Sequence, residues 1–195
     1  MVNVAVLDDY QDVALQMTDW SVLPDDVAVN VYQDHLTSED ALVSRLNSAH
    51  IIAAMRERTA FSRGLLERLP NLQLLITTGS RNASIDVKAA TELGIVVSGT
   101  GGVPSPTAEL TWALILALLR NIPREDRDIR TGRWETTVGV GLFGKTLGVL
   151  GLGNLGSQVA SVGRAFGMSV VAWSQNLTED VASKVGAKLV TKNQL

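Results

Sequence analysis

The sequence predicts an α/β chain built on parallel sheets in two lobes, and three observations carry that reading. From residue 1 to about 100, short apolar runs alternate with helical segments. A glycine- and proline-rich stretch, Ser98 to Pro106, then breaks the rhythm. Beyond it, a strand, a glycine-rich turn and a helix follow one another between Thr146 and Phe166. Alternation of this kind is the pattern of right-handed crossovers between parallel strands. Composition agrees: 46% hydrophobic and 19% charged residues over 195 positions are enough to bury a core.

The strand candidates of the first lobe are Val2–Leu7, Val27–Val31, His50–Ala54, Leu74–Thr77 and Ile95–Val97, each short and mostly apolar. Between them the periodicity predicts helices over Gln11–Met17, Glu39–Asn47, Arg63–Leu69 and Asp86–Leu93, the last ended by Gly94 as a left-handed cap. Ser98 to Pro106 divides the chain into lobes of 1–100 and 101–195. Thr107 to Arg120 is apolar on nearly every helical face, so it must be covered on several sides, by its own lobe, the other lobe or a partner subunit. Pro123 opens a charged helix to about Arg130, and Gly139, Gly141 and Gly144 mark an irregular connection. Thr146–Leu150 is the next strand, about Ser157 to Phe166 the next helix, and Ser169–Trp173 the strand after it.

Between that strand and helix stands Gly151-Leu152-Gly153-Asn154-Leu155-Gly156. Gly151 permits a tight turn, Gly153 leaves room for phosphates, and Gly156 lets helix and strand pack closely, while the free N–H groups of the helix start face the anion. The spacing predicts a dinucleotide site, with Gly151, Gly153, Asn154, Leu155 and Gly156 around the pyrophosphate. Ser174, just after the following strand, occupies the position where an acid would receive the ribose hydroxyls of NAD. A neutral residue removes repulsion against a 2′-phosphate, yet no arginine follows to attract one. NAD and NADP both remain open, and weak discrimination between them is expected. A complete dinucleotide-binding sheet has about six strands, and the chain stops well short of that number after Gly156.

Several classes are excluded. A net charge of −3 and the lack of any basic stripe argue against nucleic acid as a partner. The apolar run Trp112 to Leu119 is too short to span a bilayer. Without cysteine there are no disulfides or thiolate sites, and His35 and His50 lack metal-ligand spacing, so no metal is expected. The N-terminus enters directly into a strand-like run with no signal pattern, so a cytoplasmic setting is expected.

Arg56-Glu57-Arg58-Thr59 follows a strand at its C-terminal end, the edge where open α/β sheets place ligands. Its two arginines suit a carboxylate or phosphate, although a solvated charged loop reads equally well. Arg81-Asn82, after the next strand, faces the same choice.

With these segments in view, the chain resembles the D-isomer-specific 2-hydroxyacid dehydrogenase family, which includes phosphoglycerate, glycerate and formate dehydrogenases. The resemblance runs through Arg56-Glu57-Arg58-Thr59, Gly79-Ser80-Arg81-Asn82-Ala83-Ser84-Ile85-Asp86, Pro106-Thr107-Ala108-Glu109-Leu110 and Gly144-Lys145-Thr146-Leu147-Gly148. It implies a flavodoxin-like substrate lobe over 1–100 followed by a partial Rossmann coenzyme lobe over 101–195, with the cleft between them. Arg56, Glu57, Arg58, Thr59 and Asn82 would line the substrate side, and Thr107 would lie near the nicotinamide. The implied activity is NAD(P)-linked hydride transfer at C2 of a 2-hydroxy or 2-keto acid. The implied assembly is a homodimer through residues 107–130. The family's histidine, glutamate and arginine match nothing in this chain, so no catalytic residue is assigned and the 195 residues alone are expected to be inactive. The alternative is a non-catalytic dinucleotide-binding or scaffold module.

Overall fold

In the computed structural model, which describes residues 1–195, five apolar runs become strands β1 (Val2–Val6), β2 (Val27–Val31), β3 (Ile51–Ala54), β4 (Leu74–Thr77) and β5 (Val96–Gly99). They pair in the order β2-β1-β3-β4-β5, all parallel, with Val4 opposite Ile51, Ile51 opposite Leu74, and Leu75 opposite Val97. Strands in a parallel sheet are covered by crossover helices, which explains their nearly continuous Val, Ile, Leu and Ala. Three helices join them: α1 (Glu39–Leu46), α2 (Arg63–Glu67) and α3 (Val87–Glu92). Two of these begin at side-chain caps, where Ser62 accepts from the Leu65 N–H at 3.2 Å and Asp86 from the Ala89 N–H at 2.9 Å. Leu46, Ile52, Phe61, Leu65 and Leu75 are fully buried in the core that results. All of this lies in one compact unit, Met1–Gly102; Val103–Leu195 form a second.

The second unit opens with α4 (Pro106–Leu119) and α5 (Ile122–Arg130), then runs β6 (Thr146–Leu150), α6 (Asn154–Ala165), β7 (Ser169–Trp173), α7 (Glu179–Lys184) and β8 (Lys188–Leu189). Its three strands are parallel in the order β6-β7-β8. Small residues let the layers approach: Ala160, Ala172 and Ala182 are fully buried. On α6, Gly163 receives the Trp112 ring of α4, and the Trp112 indole donates to the Val159 carbonyl at 3.2 Å. Within this unit α4 is therefore covered on one side. Leu110, Leu114 and Leu118, one turn apart, stay 60%, 62% and 76% exposed on another. No helix is long and apolar enough to cross a membrane.

Three elements depart from the sequence reading. Gln11–Met17 is not an α-helix but a turn followed by a short 3-10 segment at Ala14–Gln16. The Asp9 carboxylate accepts from the Val13 and Ala14 N–H groups at 3.2 and 2.9 Å, Asp12 sits at φ +54°, and Leu15 and Met17 remain exposed, so no apolar face rewards a helix. Helix α6 begins at Asn154 rather than near Ser157, which puts the residues after Gly153 in its first turn. The α7–β8 pair makes the second crossover of this unit and its third strand, for which the sequence reading gave no residue range.

The irregular connection after α5 is held by two carboxylates, one buried and one half-buried. Asp128, 2% exposed, accepts from the Thr136 hydroxyl at 2.5 Å and pairs with Arg133 and, at 3.7 Å, with Arg124. Glu125 accepts from the Thr137 hydroxyl and from the Thr136 N–H. The Thr136 hydrogen bond, helped by Arg133 and Arg124, holds the Asp128 carboxyl below its ordinary value, and Thr137 does the same for Glu125. A carboxylate whose folded value is depressed stabilises the fold fully above the ordinary carboxylate range. That contribution is lost as pH falls through the range toward the folded value. The unfolding midpoint is expected to fall from about pH 5 downward, and less steeply in Asp128→Asn. Parallel acid titrations of the two proteins by circular dichroism check this; identical slopes would contradict it.

Candidate functional site

At the end of β6 the chain turns at Gly151, whose φ of +90° excludes most side chains, and the Gly151 N–H donates to the Trp173 carbonyl at the end of β7. Gly153, extended, caps α6. The Ser157 N–H closes the first turn on the Gly153 carbonyl at 2.9 Å, leaving the N–H groups of Asn154, Leu155 and Gly156 without backbone partners. Donors at the positive end of a helix favour phosphate oxygens. A Cβ on Gly153 would meet nothing within 4 Å, so the space over the turn is open to a ligand. On Gly156 a Cβ would collide with the Gly151 carbonyl oxygen and stand 3.1 Å from Val149 Cγ1, so this glycine is required by the strand–helix contact. The residues fit a pyrophosphate.

Neighbouring segments frame this cradle. The Gln158 amide donates to the Pro104 carbonyl at 3.3 Å, tying the lead into α4 to the first turns of α6. Thr107 is exposed on the first turn of α4. Ser174 directly follows β7, half-buried, at the same carboxyl edge of the sheet as Gly151.

In the first unit, the strand order reverses between β1 and β3, and ligands in open α/β sheets bind outside the carboxyl ends of strands near such a point. The loop after β3 starts at Arg56, held at φ +53° by the Asn82 amide, which donates to its carbonyl at 2.5 Å, and by its own N–H on Thr78 Oγ1 at 3.0 Å. Left-handed backbone at a non-glycine residue costs free energy and persists where neighbours impose it. The Arg56 guanidinium lies over Gly79, where a Cβ would stand 3.1 Å from Arg56 Cζ, yet Arg56 as a whole is exposed. On the loop after β4, Arg81 is exposed and lines a cavity of about 460 Å³ with Ser80 and Asn82; Arg56 is not among its lining residues. Charge and shape here suit a carboxylate.

The other residues expected on the substrate side divide by what they touch. Thr59 is 3% exposed and its hydroxyl donates to Asp8 Oδ2 at 2.8 Å, so it is turned into the fold rather than toward a ligand. Asn82 spends its amide on Arg56 and on Thr77 Oγ1. Arg58 donates to the Asp8 carbonyl at 2.6 Å and covers the Tyr10 ring at 4.3 Å. Glu57 is exposed. Asp8 is the residue that sequence reasoning missed: 2% exposed, at φ +58°, it accepts from Thr59 and pairs with His35 Nδ1 at 2.8 Å. Its only sequence signal is the Asp8-Asp9 pair at a strand end. His50 accepts from the Asn3 N–H at 3.1 Å, a contact within the sheet edge. No group of three metal-ligating side chains converges anywhere.

Comparison with known proteins places this geometry. Residues 112–195 match the model of the D-isomer specific 2-hydroxyacid dehydrogenase NAD binding domain. The D-3-phosphoglycerate dehydrogenase of Methanocaldococcus jannaschii is 37% identical over 158 residues, covering 80% of this chain and 30% of that protein. A phosphoglycerate oxidoreductase from Vibrio cholerae superposes with a TM-score of 0.87 at 34% identity over 98% of this chain and 62% of that one. A D-lactate dehydrogenase from Aquifex aeolicus, complexed with NAD and lactic acid, superposes with a TM-score of 0.70 at 25% identity over 98% of this chain and 57% of that one. The chain thus spans less than two thirds of the length of each. Matched in its NAD binding domain by the family model and across both units by relatives and solved structures, the chain belongs to the D-isomer specific 2-hydroxyacid dehydrogenase family.

Proposed function

We propose that this chain supplies the substrate lobe (residues 1–100) and the first part of the coenzyme lobe (101–195) of an NAD(P)-dependent dehydrogenase acting on a 2-hydroxy or 2-keto acid. The observation that carries the reading is the glycine cradle at α6, with three unpaired N–H groups beneath open space. Bound NAD(P) supplies or accepts the hydride at C2. Gly151, Gly153, Asn154, Leu155 and Gly156 hold the pyrophosphate, Ser174 faces the adenosine ribose, and Thr107 stands toward the nicotinamide. Arg56 takes the substrate carboxylate; Thr59 and Asn82 position its loop, and Arg58 and Glu57 border it.

No group here is assigned to move the hydroxyl proton, since the two histidines, His35 and His50, both belong to the first unit and stand outside any segment that matches the family's catalytic motif. Acid–base help of that kind is worth about a hundredfold to ten-thousandfold. The 195 residues alone therefore bind a dinucleotide without turnover. Calorimetry with NADH and NADPH, followed by absorbance assays with a panel of 2-keto acids, tests both halves: no binding sinks the coenzyme reading, and turnover at ordinary dehydrogenase rates sinks the absence of a proton-transfer group. Binding without turnover is also what a non-catalytic module would give, and fusing the missing part of a relative's coenzyme lobe separates the two by restoring activity only in the enzyme.

We also propose a homodimer through α4 and α5, residues 107–130. The Leu110, Leu114 and Leu118 stripe is continuous at helical spacing, and Ile122 and Ile129 are each 51% exposed nearby. Leu114→Glu is expected to convert a dimer to monomer at micromolar concentration. Sedimentation velocity decides it: a monomeric parent protein rules the dimer out.

A further inference from the structure

Beyond β7, the residues that would choose between the two dinucleotides come together from separate stretches of chain. The carboxyl edge of β7 and β8 encloses a cavity of about 390 Å³, lined by Trp173, Ser174, Gln175, Leu177, Thr191 and Gln194 among others, and no carboxylate lines it. Ser174 stands where an acid would bind the free ribose hydroxyls and repel a phosphate. Three residues past β8, Lys192 opens a short 3-10 segment between the lining residues Thr191 and Gln194; it does not itself line the cavity, but its ammonium lies 5.5 Å from the centre of the Trp173 ring, which does. It is exposed and forms no ion pair. A cation without an acid partner, stacked on the residue before Ser174, is the charge that the sequence after Ser174 lacks.

We propose that this pocket takes the 2′-phosphate of NADP, with Lys192 as its cation and the Ser174 hydroxyl and Gln175 amide as its neutral donors. The assignment rests on the reading that the glycine cradle of this unit binds a dinucleotide. An aspartate at position 174 would repel the phosphate and compete for Lys192; serine does neither. Attraction of the ammonium to the Trp173 ring restrains the flexible lysine beside the cavity, which lowers the entropy lost when the ammonium meets the phosphate. The selectivity expected from the sequence alone, weak either way, becomes a preference for the phosphorylated cofactor.

The test is calorimetric titration of the 195-residue protein with NADPH and NADH, and displacement of NADPH by 2′,5′-ADP, 5′-ADP and inorganic phosphate. NADPH is expected to bind about tenfold tighter than NADH, the worth of one charge-assisted hydrogen bond, and the difference should shrink at high salt. Lys192→Met keeps an apolar stem and removes the charge. It should bring NADPH down to the affinity of NADH while leaving NADH binding and the unfolding midpoint unchanged. Lys192→Arg should retain the preference, and Ser174→Asp should reverse it. Displacement by 2′,5′-ADP but not by 5′-ADP or inorganic phosphate at equal concentration supports an adenosine 2′-phosphate. Equal affinities in the parent protein, equal weakening of both cofactors by Lys192→Met, or displacement by inorganic phosphate alone overturns the assignment and leaves the dinucleotide reading standing. Binding of neither cofactor overturns both.

Discussion

Gly153→Val is expected to lose NADH binding by about a hundredfold or more with the fold intact, while Gly156→Val, three residues on, is expected to unfold the second unit. The two glycines differ in what their missing side chains would touch. Gly153 is extended at φ −83°, ψ −158°, a conformation open to any L-residue, and its Cβ would meet nothing within 4 Å. A valine there costs the protein little. Its methyl groups, however, occupy the space in front of the Asn154, Leu155 and Gly156 N–H groups, where phosphate oxygens must come within hydrogen-bond reach. Losing one or two hydrogen bonds to a charged group removes about 1.5–3 kcal/mol each, which sets the hundredfold scale. At Gly156 the obstacle is the Gly151 carbonyl oxygen, and Val149 Cγ1 is 3.1 Å from the added Cβ. A backbone carbonyl in a turn fixed at φ +90° cannot step aside as a side-chain tip can. Overpacking of this kind costs about 1–3 kcal/mol where side chains yield and more where backbone must move. Fluorescence titration with NADH and thermal unfolding separate the outcomes. Equal binding by Gly153→Val and the parent protein would remove the pyrophosphate from this turn, and a Gly156→Val as stable as the parent would show that helix and strand do not meet as described.

Asp8→Ala is expected to destabilise the first unit by about 2–4 kcal/mol and to loosen the Arg56–Thr59 loop. Asp8 is 2% exposed, and its carboxylate joins two segments remote in sequence, His35 at 2.8 Å and Thr59 at 2.8 Å. Truncation leaves the Thr59 hydroxyl, itself 3% exposed, buried without an acceptor. An unsatisfied buried group costs about 1–3 kcal/mol, more than the net worth of the bond it lost. Alanine is also disfavoured at φ +58°, a region that aspartate and asparagine tolerate better than most residues. Asp8→Asn should therefore be the milder change, retaining one acceptor for Thr59 and the backbone preference. The Asp8 carbonyl still accepts from Arg58 in both variants, so the loop should loosen rather than detach. Urea unfolding gives the stability, and limited trypsin digestion at Arg56 and Arg58 reports the loop. Cleavage no faster in Asp8→Ala than in the parent protein would show that the loop is held without the Asp8 carboxylate, by Asn82, Thr78 and the Asp8 carbonyl.

Features that neighbours along the chain decide are legible in the amino-acid order. The strands of the first unit are short, mostly apolar runs, buried at the centre of the parallel sheet and more open at its edges, and β2 and β4 fall on the residues expected and the others within one or two. The strand, glycine turn and helix from Thr146 onward are contiguous, and the backbone freedom of Gly151 and the tightness at Gly156 are local requirements. Periodicity failed at Gln11–Met17 because a helical pattern without a partner surface gains nothing: Leu15 and Met17 stay exposed, and Asp12 turns into the left-handed region. The remaining decisions belong to tertiary structure. That Thr59 turns inward follows from Asp8, 51 residues before it, and that Asn82 and Thr78 hold Arg56 follows from the alignment of β3 with β4. That Lys192 stands over Trp173 follows from the pairing of β7 with β8. Strand order and register bring such pairs within a few ångströms of each other, and both are set by burial summed over whole sheets, which no local run of residues encodes.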